Sequence, residues 1–360
     1  MIIVATVMTV LASCTNDEEV SVRQGNAISF RTSVGVTSRA VSKQTFAIGD
    51  QFNVWASYEN DGGVSKYFQE NFKFDGSSWN SATTPYYWPG RVDGTHRLTF
   101  QAVWPSTVSR TVSPDSFSYT VADAADSQED VLYAKHVSVS KETTGVKLNF
   151  RHTLSQIVIQ ARNSSATLKF EVDGIKVAYL NKAGQFIATS VASGNTDDNN
   201  SGNLSRTDWS ASGAAASAAS YYEQTGLDMT VAASAEAAGL GTPWILMPQL
   251  QNIATEYTST DAAAPFNGAY LAVKMTVKND ADDTVIASER WCCWPIAIDW
   301  TPGYKYTYTI DLAGGGYEEG NDDTDGDDDT EPDPVLDNQE IFFVDCTIDA
   351  WDTIDRNVTM

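Results

Sequence analysis

The stretch Ala27-Ile28-Ser29-Phe30-Arg31-Thr32-Ser33-Val34-Gly35-Val36 decides the fold class. Ile28, Phe30, Val34 and Val36 stand at even spacings with polar or small residues between them, the period of a half-buried β-strand. The same alternation recurs at residues 52–56, 98–103, 146–150, 157–159, 271–275 and 304–310. Turn pairs separate these runs, among them Gly49-Asp50, Asp75-Gly76, Pro89-Gly90, Asp93-Gly94, Asp173-Gly174 and Pro302-Gly303. Short strands with a turn every ~8–12 residues specify an all-β protein built of Greek-key β-sandwiches. One segment, residues 211–238, is rich in Ala and Ser and reads as a loop with a short helix. At roughly 100–200 residues per domain, 360 residues make two domains, and 42% hydrophobic residues can fill two cores. The boundary falls near Phe150-Arg151-His152-Thr153-Leu154, dividing 24–150 from 151–312.

Charge excludes one class of partner. With 23 Lys+Arg against 47 Asp+Glu the net charge is −24, and no basic stripe offsets it, so phosphate backbones are repelled and nucleic acid is not a partner. Residues 1–12 (MIIVATVMTVLA) are apolar but far shorter than the ~20 residues of a spanning helix. They run into Leu11-Ala12-Ser13-Cys14, small residues before a cysteine as in a bacterial lipobox, although no Lys or Arg precedes Arg23. Residues 1–14 therefore read as a lipoprotein signal peptide, with Cys14 the lipidated residue.

The other end is unusual. Residues 317–340 hold 12 acidic residues and no basic one, a composition that self-repels, so 313–340 reads as an extended linker. In the following segment, 341–360, Phe342, Val344, Cys346, Ile348 and Ala350 alternate and Trp351 closes the run. A coil of ~29 residues spans ~30 Å, so this strand reaches either its own domain or a neighbouring chain.

Little in the chain suggests catalysis. His96, His136 and His152 have no Cys or carboxylate at metal-ligand spacing, and Ser138-Val139-Ser140-Lys141 lacks the companions of an SxxK enzyme. Without a nucleophile, base and orienter the chain is not expected to be an enzyme, nor to carry a cofactor. Asp323, Asp325 and Asp329 alternate around Gly326 as a weak calcium candidate, but Pro332 stands where the bidentate Glu belongs, so no metal is expected. Cys292, Cys293 and Cys346 show no CxxC spacing; the adjacent pair faces opposite sides of a sheet, so at most one of them bridges to Cys346, and buried free thiols are the competing reading. Trp55 and Trp300 are expected in the core. Trp79 and Trp209, set among Ser, Asn and Asp, are candidates for stacking on sugars, with core packing the competing reading.

A set of motifs in chain order resembles the fimbrillin (Mfa-like, type V pilus subunit) lipoproteins of the Bacteroides group. They are Cys14, Ile28-Ser29-Phe30, Thr37-Ser38-Arg39-Ala40, Gly49-Asp50-Gln51-Phe52 and Tyr86-Tyr87-Trp88-Pro89-Gly90, then Phe150-Arg151-His152-Thr153-Leu154-Ser155-Gln156-Ile157, residues 300–310 and the closing 344–351. The resemblance implies two transthyretin-like Greek-key β-sandwiches in tandem with a C-terminal extension strand. It also implies export as a lipoprotein anchored in the outer membrane at the cell surface, assembly with like or unlike fimbrial subunits, and cell adhesion. In such subunits an Arg-specific protease removes an early strand, and the groove accepts a donor strand from the next subunit. Carried onto this sequence, Arg39 marks processing, with Arg31 a weaker candidate inside the strand. Ile28, Phe30, Val34 and Val36 form the displaced strand, and Phe342, Val344, Cys346, Ile348, Ala350 and Trp351 the donor. The long acidic linker and the Cys292-Cys293 pair depart from the family. A glycan-binding surface lipoprotein outside any pilus is the alternative, and a host or glycan ligand fits either.

Overall fold

A computed structural model describes residues 27–34, 46–108, 110, 113–189, 204–213, 215–217, 219–252, 266–318, 336 and 344–350. Among them there is no α-helix, only three short 3-10 turns, so the protein is all-β. A first group of strands comprises β1 (Phe30–Val34), β2 (Gln51–Asn60), β3 (Gly63–Phe74), β4 (Trp79–Ser81), β5 (Arg97–Trp104), β6 (Ser116–Thr120), β7 (Leu132–Ser138) and β8 (Val146–His152). Seven of these pair in the order β1-β8-β7-β5-β2-β3-β4. β8 joins β7 through only Leu132↔His152 and Tyr133↔Arg151. The β1–β8 pair therefore turns away and closes over the other strands. The Phe30 ring lies 5.9, 4.7 and 5.5 Å from the rings of Phe52, Phe72 and Phe100, all edge-on. Edge-to-face packing of this kind adds to plain area burial.

A second group comprises β9 (Ser155–Arg162), β10 (Leu168–Ala178), β11 (Ala183–Ile187), β12 (Trp209–Ala211), β13 (Tyr221–Val231), β14 (Ala238–Leu246), β15 (Leu250–Gln251), β16 (Tyr270–Asn279), β17 (Val285–Pro295), β18 (Ile298–Asp299), β19 (Tyr304–Asp311), β20 (Tyr317–Glu318) and β21 (Asp345–Ala350). The sheet β14-β9-β19-β21 and the sheet β13-β10-β16-β17-β20 contribute to one core. Ile157, Ile159, Tyr306, Tyr308 and Trp244 come from the former; Phe170, Val172, Val273, Met275 and Trp294 come from the latter. Both groups contain a parallel pair, β1 with β8 and β9 with β19. A hairpin cannot make a parallel pair, so each joins segments far apart in the chain.

The two cores interlock. β6 leaves the first group to pair with β11, which also pairs with β12. Phe117 stacks on Phe186 at 4.8 Å, Trp209 packs on Phe186 at 5.4 Å, and Trp209 Nε1 donates to the Thr153 carbonyl at 2.6 Å. Val103, Val108, Val131 and Tyr133 belong to the second core although they precede residue 150.

The Ala/Ser-rich segment departs from its sequence reading. Residues 221–231 form β13 and pair with β10, because the segment contains Tyr221, Tyr222 and Val231, whose rings and branches suit a pleated surface better than Ala suits a helix here. Residues 313–318, assigned by composition to the linker, instead complete a 3-10 turn and β20 on β17, and Leu336, assigned to the same linker, is 6% exposed within the second core because its side chain packs against Gly315. Gly316 takes φ 67° with Trp294 so close that a Cβ would approach its ring to 2.8 Å.

Phe30→Ala is expected to cost about 3–5 kcal/mol in urea denaturation, since it deletes a ring from a dry core. Ser33→Ala, on the exposed side of the same strand, is expected to stay within about 0.5 kcal/mol.

Candidate functional site

β1 and β21, the first and last described strands, are built differently. β1 presents Ile28 and Phe30 inward, 6% and 4% exposed, with Val34 half-buried against the same cluster. Its ladder runs parallel to β8 from Phe30↔Val146 to Val34↔Phe150. The Val146 N–H donates to the Ser29 carbonyl at 2.8 Å, and the Ile28 N–H to the Tyr86 carbonyl at 2.7 Å. Trp79 Nε1 donates to Thr32 Oγ1 at 3.1 Å. On the outer side, Arg31 Nε donates to the Gly145 carbonyl at 3.2 Å. Gly145 holds φ 95°, and a Cβ there would press on Ser29 and Arg31 at 3.2 and 3.3 Å, so glycine lets the strand pass. Beside Phe30, Thr32 and Val34 across the ladder stand Val146, Leu148 and Phe150, all 0% exposed. Without β1 they and the three phenylalanine rings would meet water along an unpaired strand edge.

β21 lies antiparallel on β19, from Thr309↔Asp345 to Tyr304↔Ala350. Cys346 and Ile348 stand opposite Tyr308 and Tyr306, on the face that is core along β19. On β21 that face is largely open: Ile348 is 60% exposed and Cys346 is exposed, although its thiol reaches the buried Tyr308 hydroxyl, while Val344, just before the strand, packs half-buried against the core. The ion pair Lys305–Asp349, at 3.6 Å, is partly solvated and contributes ~0–1 kcal/mol. Partial burial pushes the Cys346 thiol up from its ordinary value, so it stays protonated at neutral pH. Burial pushes Tyr308 up as well; its hydroxyl accepts from Trp300 Nε1 at 2.9 Å.

The histidines acquire carboxylates that sequence spacing did not reveal. His96 lies 3.3 Å from both Asp93 and Asp61, His136 lies 2.7 Å from Glu142, and His152 Nδ1 lies 2.6 Å from Asp130. Among the described residues no three such groups gather to hold a metal. Burial alone would raise the Glu142 carboxyl, but hydrogen bonds from His136 and Ser138 outweigh it and hold that carboxyl below its ordinary value. The charge of Arg31 on β1 acts in the same direction.

Of the residues singled out from the sequence, Cys14, Val36, Arg39, Asp323, Asp325, Asp329, Phe342 and Trp351 lie outside the described residues. Arg31 sits within the β1 ladder, not in an accessible turn. Cys292 and Cys293 are buried thiols on opposite faces, one in the main second core and one against Phe266 and Tyr270. Cys346, expected to be buried, is exposed because β21 is an edge strand. The sugar platforms are corrected: Trp79 and Trp209 are 5% and 7% exposed, since each indole caps an aromatic cluster and spends its N–H inside the protein. Trp300 is core at 0% exposure, whereas Trp55 belongs to none of the cores and carries Lys66 Nζ over its ring at 4.2 Å.

The family model described as Fimbrillin-like matches residues 38–351. The chain belongs to the fimbrillin-like family. Membership makes it a fimbrial subunit by kind, and the place of such a family is the cell surface. No helix among the described residues is long and apolar enough to cross a membrane. Similar solved structures include a "putative cell adhesion protein" from Bacteroides ovatus, 14% identical, covering 92% of this chain and 100% of its own, with TM-score 0.49. Another from Bacteroides uniformis, of the same description, is 13% identical over 90% of this chain and 98% of its own, with TM-score 0.46. A "fimbrial protein" from Bacteroides ovatus is 13% identical over 79% of this chain and 49% of its own, with TM-score 0.34. Among curated proteins none matches this fimbrillin-like chain.

Two outcomes test the site. Ile348→Ala is expected to cost under about 1 kcal/mol in the isolated chain, against about 3–5 for Phe30→Ala, because its side chain is already largely in water. Glu142 contributes stability above its ordinary pKa of about 4.5 and loses it as pH falls through its depressed folded value. Glu142→Gln should therefore be less stable than the parent at about pH 7 and converge with it at about pH 3, read by thermal melts.

Proposed function

We propose that this fimbrillin-like subunit is exported as a lipoprotein through Cys14 and joins a fimbrium by protease-triggered donor-strand exchange. In this reading cleavage after Arg39 frees β1, and the segment 342–351 of another subunit fills the groove. The units divide near residues 150–154 into two transthyretin-like sandwiches, and 337–343, beyond the buried Leu336, is the tether from which the last strand reaches a neighbour. Its role is structural, not catalytic.

The observation that carries the reading is the contrast in burial between the two strands. β1 supplies apolar residues at alternate positions to a closed core, and β21 has a matching alternation whose face is left in water at home. Moving Ile348 from a largely exposed edge into such a groove would gain up to ~1.5–3 kcal/mol, and the ladder supplies the backbone partners. β1 itself is too well held to leave unaided, so a cut is the step that permits exchange. Surface adhesion without polymerisation is the second reading, favoured by β21 being paired in its own chain.

The test is an Arg-specific protease applied to the chain lacking residues 1–14, followed by N-terminal sequencing and sizing. A new N-terminus at Ala40 with ladders of multimers is expected. Thr309 and Asp345 are directly opposed, so Thr309→Cys with Asp345→Cys, in a Cys346→Ser background, can staple β21 at home. The oxidised staple should abolish the ladders and reductant should restore them. A cut chain that stays monomeric, or ladders indifferent to the staple, would reject strand exchange.

A further inference from the structure

We propose that the outer face of the first sheet is a binding site for one neutral pyranose unit of a glycan. The face is the side of β2, β5 and β7 turned away from the first core, and cross-strand register sets its side chains in rows. Trp55, Gln101 and Lys135 form one row; Ser57, Thr99 and Val137 form the next; Glu59 and Arg97 end the grid. The segment carrying Pro114 and Asp115 rises as a wall, and the resulting cleft encloses about 270 Å³. That is just under the ~300–1,000 Å³ of drug-sized pockets, so it admits a single ring.

Gln101 lines the cleft, is 3% exposed, and its carboxamide oxygen has no hydrogen-bond donor among the described residues. A buried acceptor of that kind is normally satisfied, so here it is an acceptor left for a ligand hydroxyl. The charges, by contrast, are closed on each other. Arg97 Nε reaches Glu59 at 2.9 Å, and Lys135 Nζ reaches Asp115 at 3.3 Å. Two cations and two anions cancel, and a charged ligand would have to break one pair. What remains for a ligand is the Ser57 and Thr99 hydroxyls, the Gln101 amide, and the apolar Val64, Val137 and Pro114. Hydroxyl edges with apolar C–H faces are the chemistry of a neutral sugar ring, whose C–H groups would rest on Val64, Val137 and Pro114. An extended peptide is disfavoured, because these strands are interior to the sheet and their backbone groups are already paired.

The site stands apart from β1 and β21, so an unpolymerised chain should bind as an assembled one does. The test is calorimetric titration of the full chain with the methyl pyranosides of glucose, galactose, mannose, fucose and N-acetylglucosamine, with N-acetylneuraminic acid and glucosamine as charged probes. Saturable binding of at least one neutral glycoside at millimolar concentration is expected, with the charged probes weaker. Gln101→Leu should weaken it by at least about tenfold while leaving the melting temperature unchanged or higher, which a structural glutamine would not do. Thr99→Val serves as the second variant should Gln101→Leu lower the melting temperature. No saturable binding by any neutral probe, preference for a charged probe, or binding indifferent to both substitutions would overturn the proposal.

Discussion

The parallel pairing of β1 with β8 is the contact on which the first core depends. Five residues of β1 place one phenylalanine among three others, accept an indole N–H and pair alongside three fully buried residues of β8. A segment that short, with only a few ladder bonds, is held because its side chains are dry, not because its backbone is extensively paired. Neighbouring features serve the same contact. Gly145 makes room for β1, and Glu142 is held ionised by partners that include the charge of Arg31.

The second core solves the same packing problem in the opposite way. Its parallel pair, β9 with β19, lies inside the sheet, flanked by β14 and β21. The last strand therefore adds an outer ladder to a core that is already filled by Tyr306, Tyr308 and Ile310 of β19. One of these strands is buried in its core, the other lies at an edge and is largely wet. Under the proposed strand exchange, that asymmetry would let a fimbrillin-like subunit lose a strand at one end and lend one at the other.

Trp209 and β6 tie the cores together. An indole that hydrogen-bonds to Thr153 and packs on Phe117 and Phe186 joins residues from both sides of the position where the chain passes between cores. Such a joint resists bending better than a bare linker, because moving it would expose stacked rings.

The chain's own order of residues determined the all-β class, the alternating faces of β1 and β21, the core position of Trp300, and the opposed faces of Cys292 and Cys293. These follow from the two-residue period of a strand, which is a local property. Motif order along the chain was enough for the family. Tertiary structure alone decided that Trp79 and Trp209 are buried and Trp55 is not, because burial depends on which element lies across a face. It likewise turned residues 221–231 into a strand, through pairing with the distant β10, and brought carboxylates to all three histidines. The exposure of Ile348 was equally illegible, for its apolar alternation is that of a core strand. Among the described residues no layer covers β21, and layers are made by contacts between segments far apart in the chain.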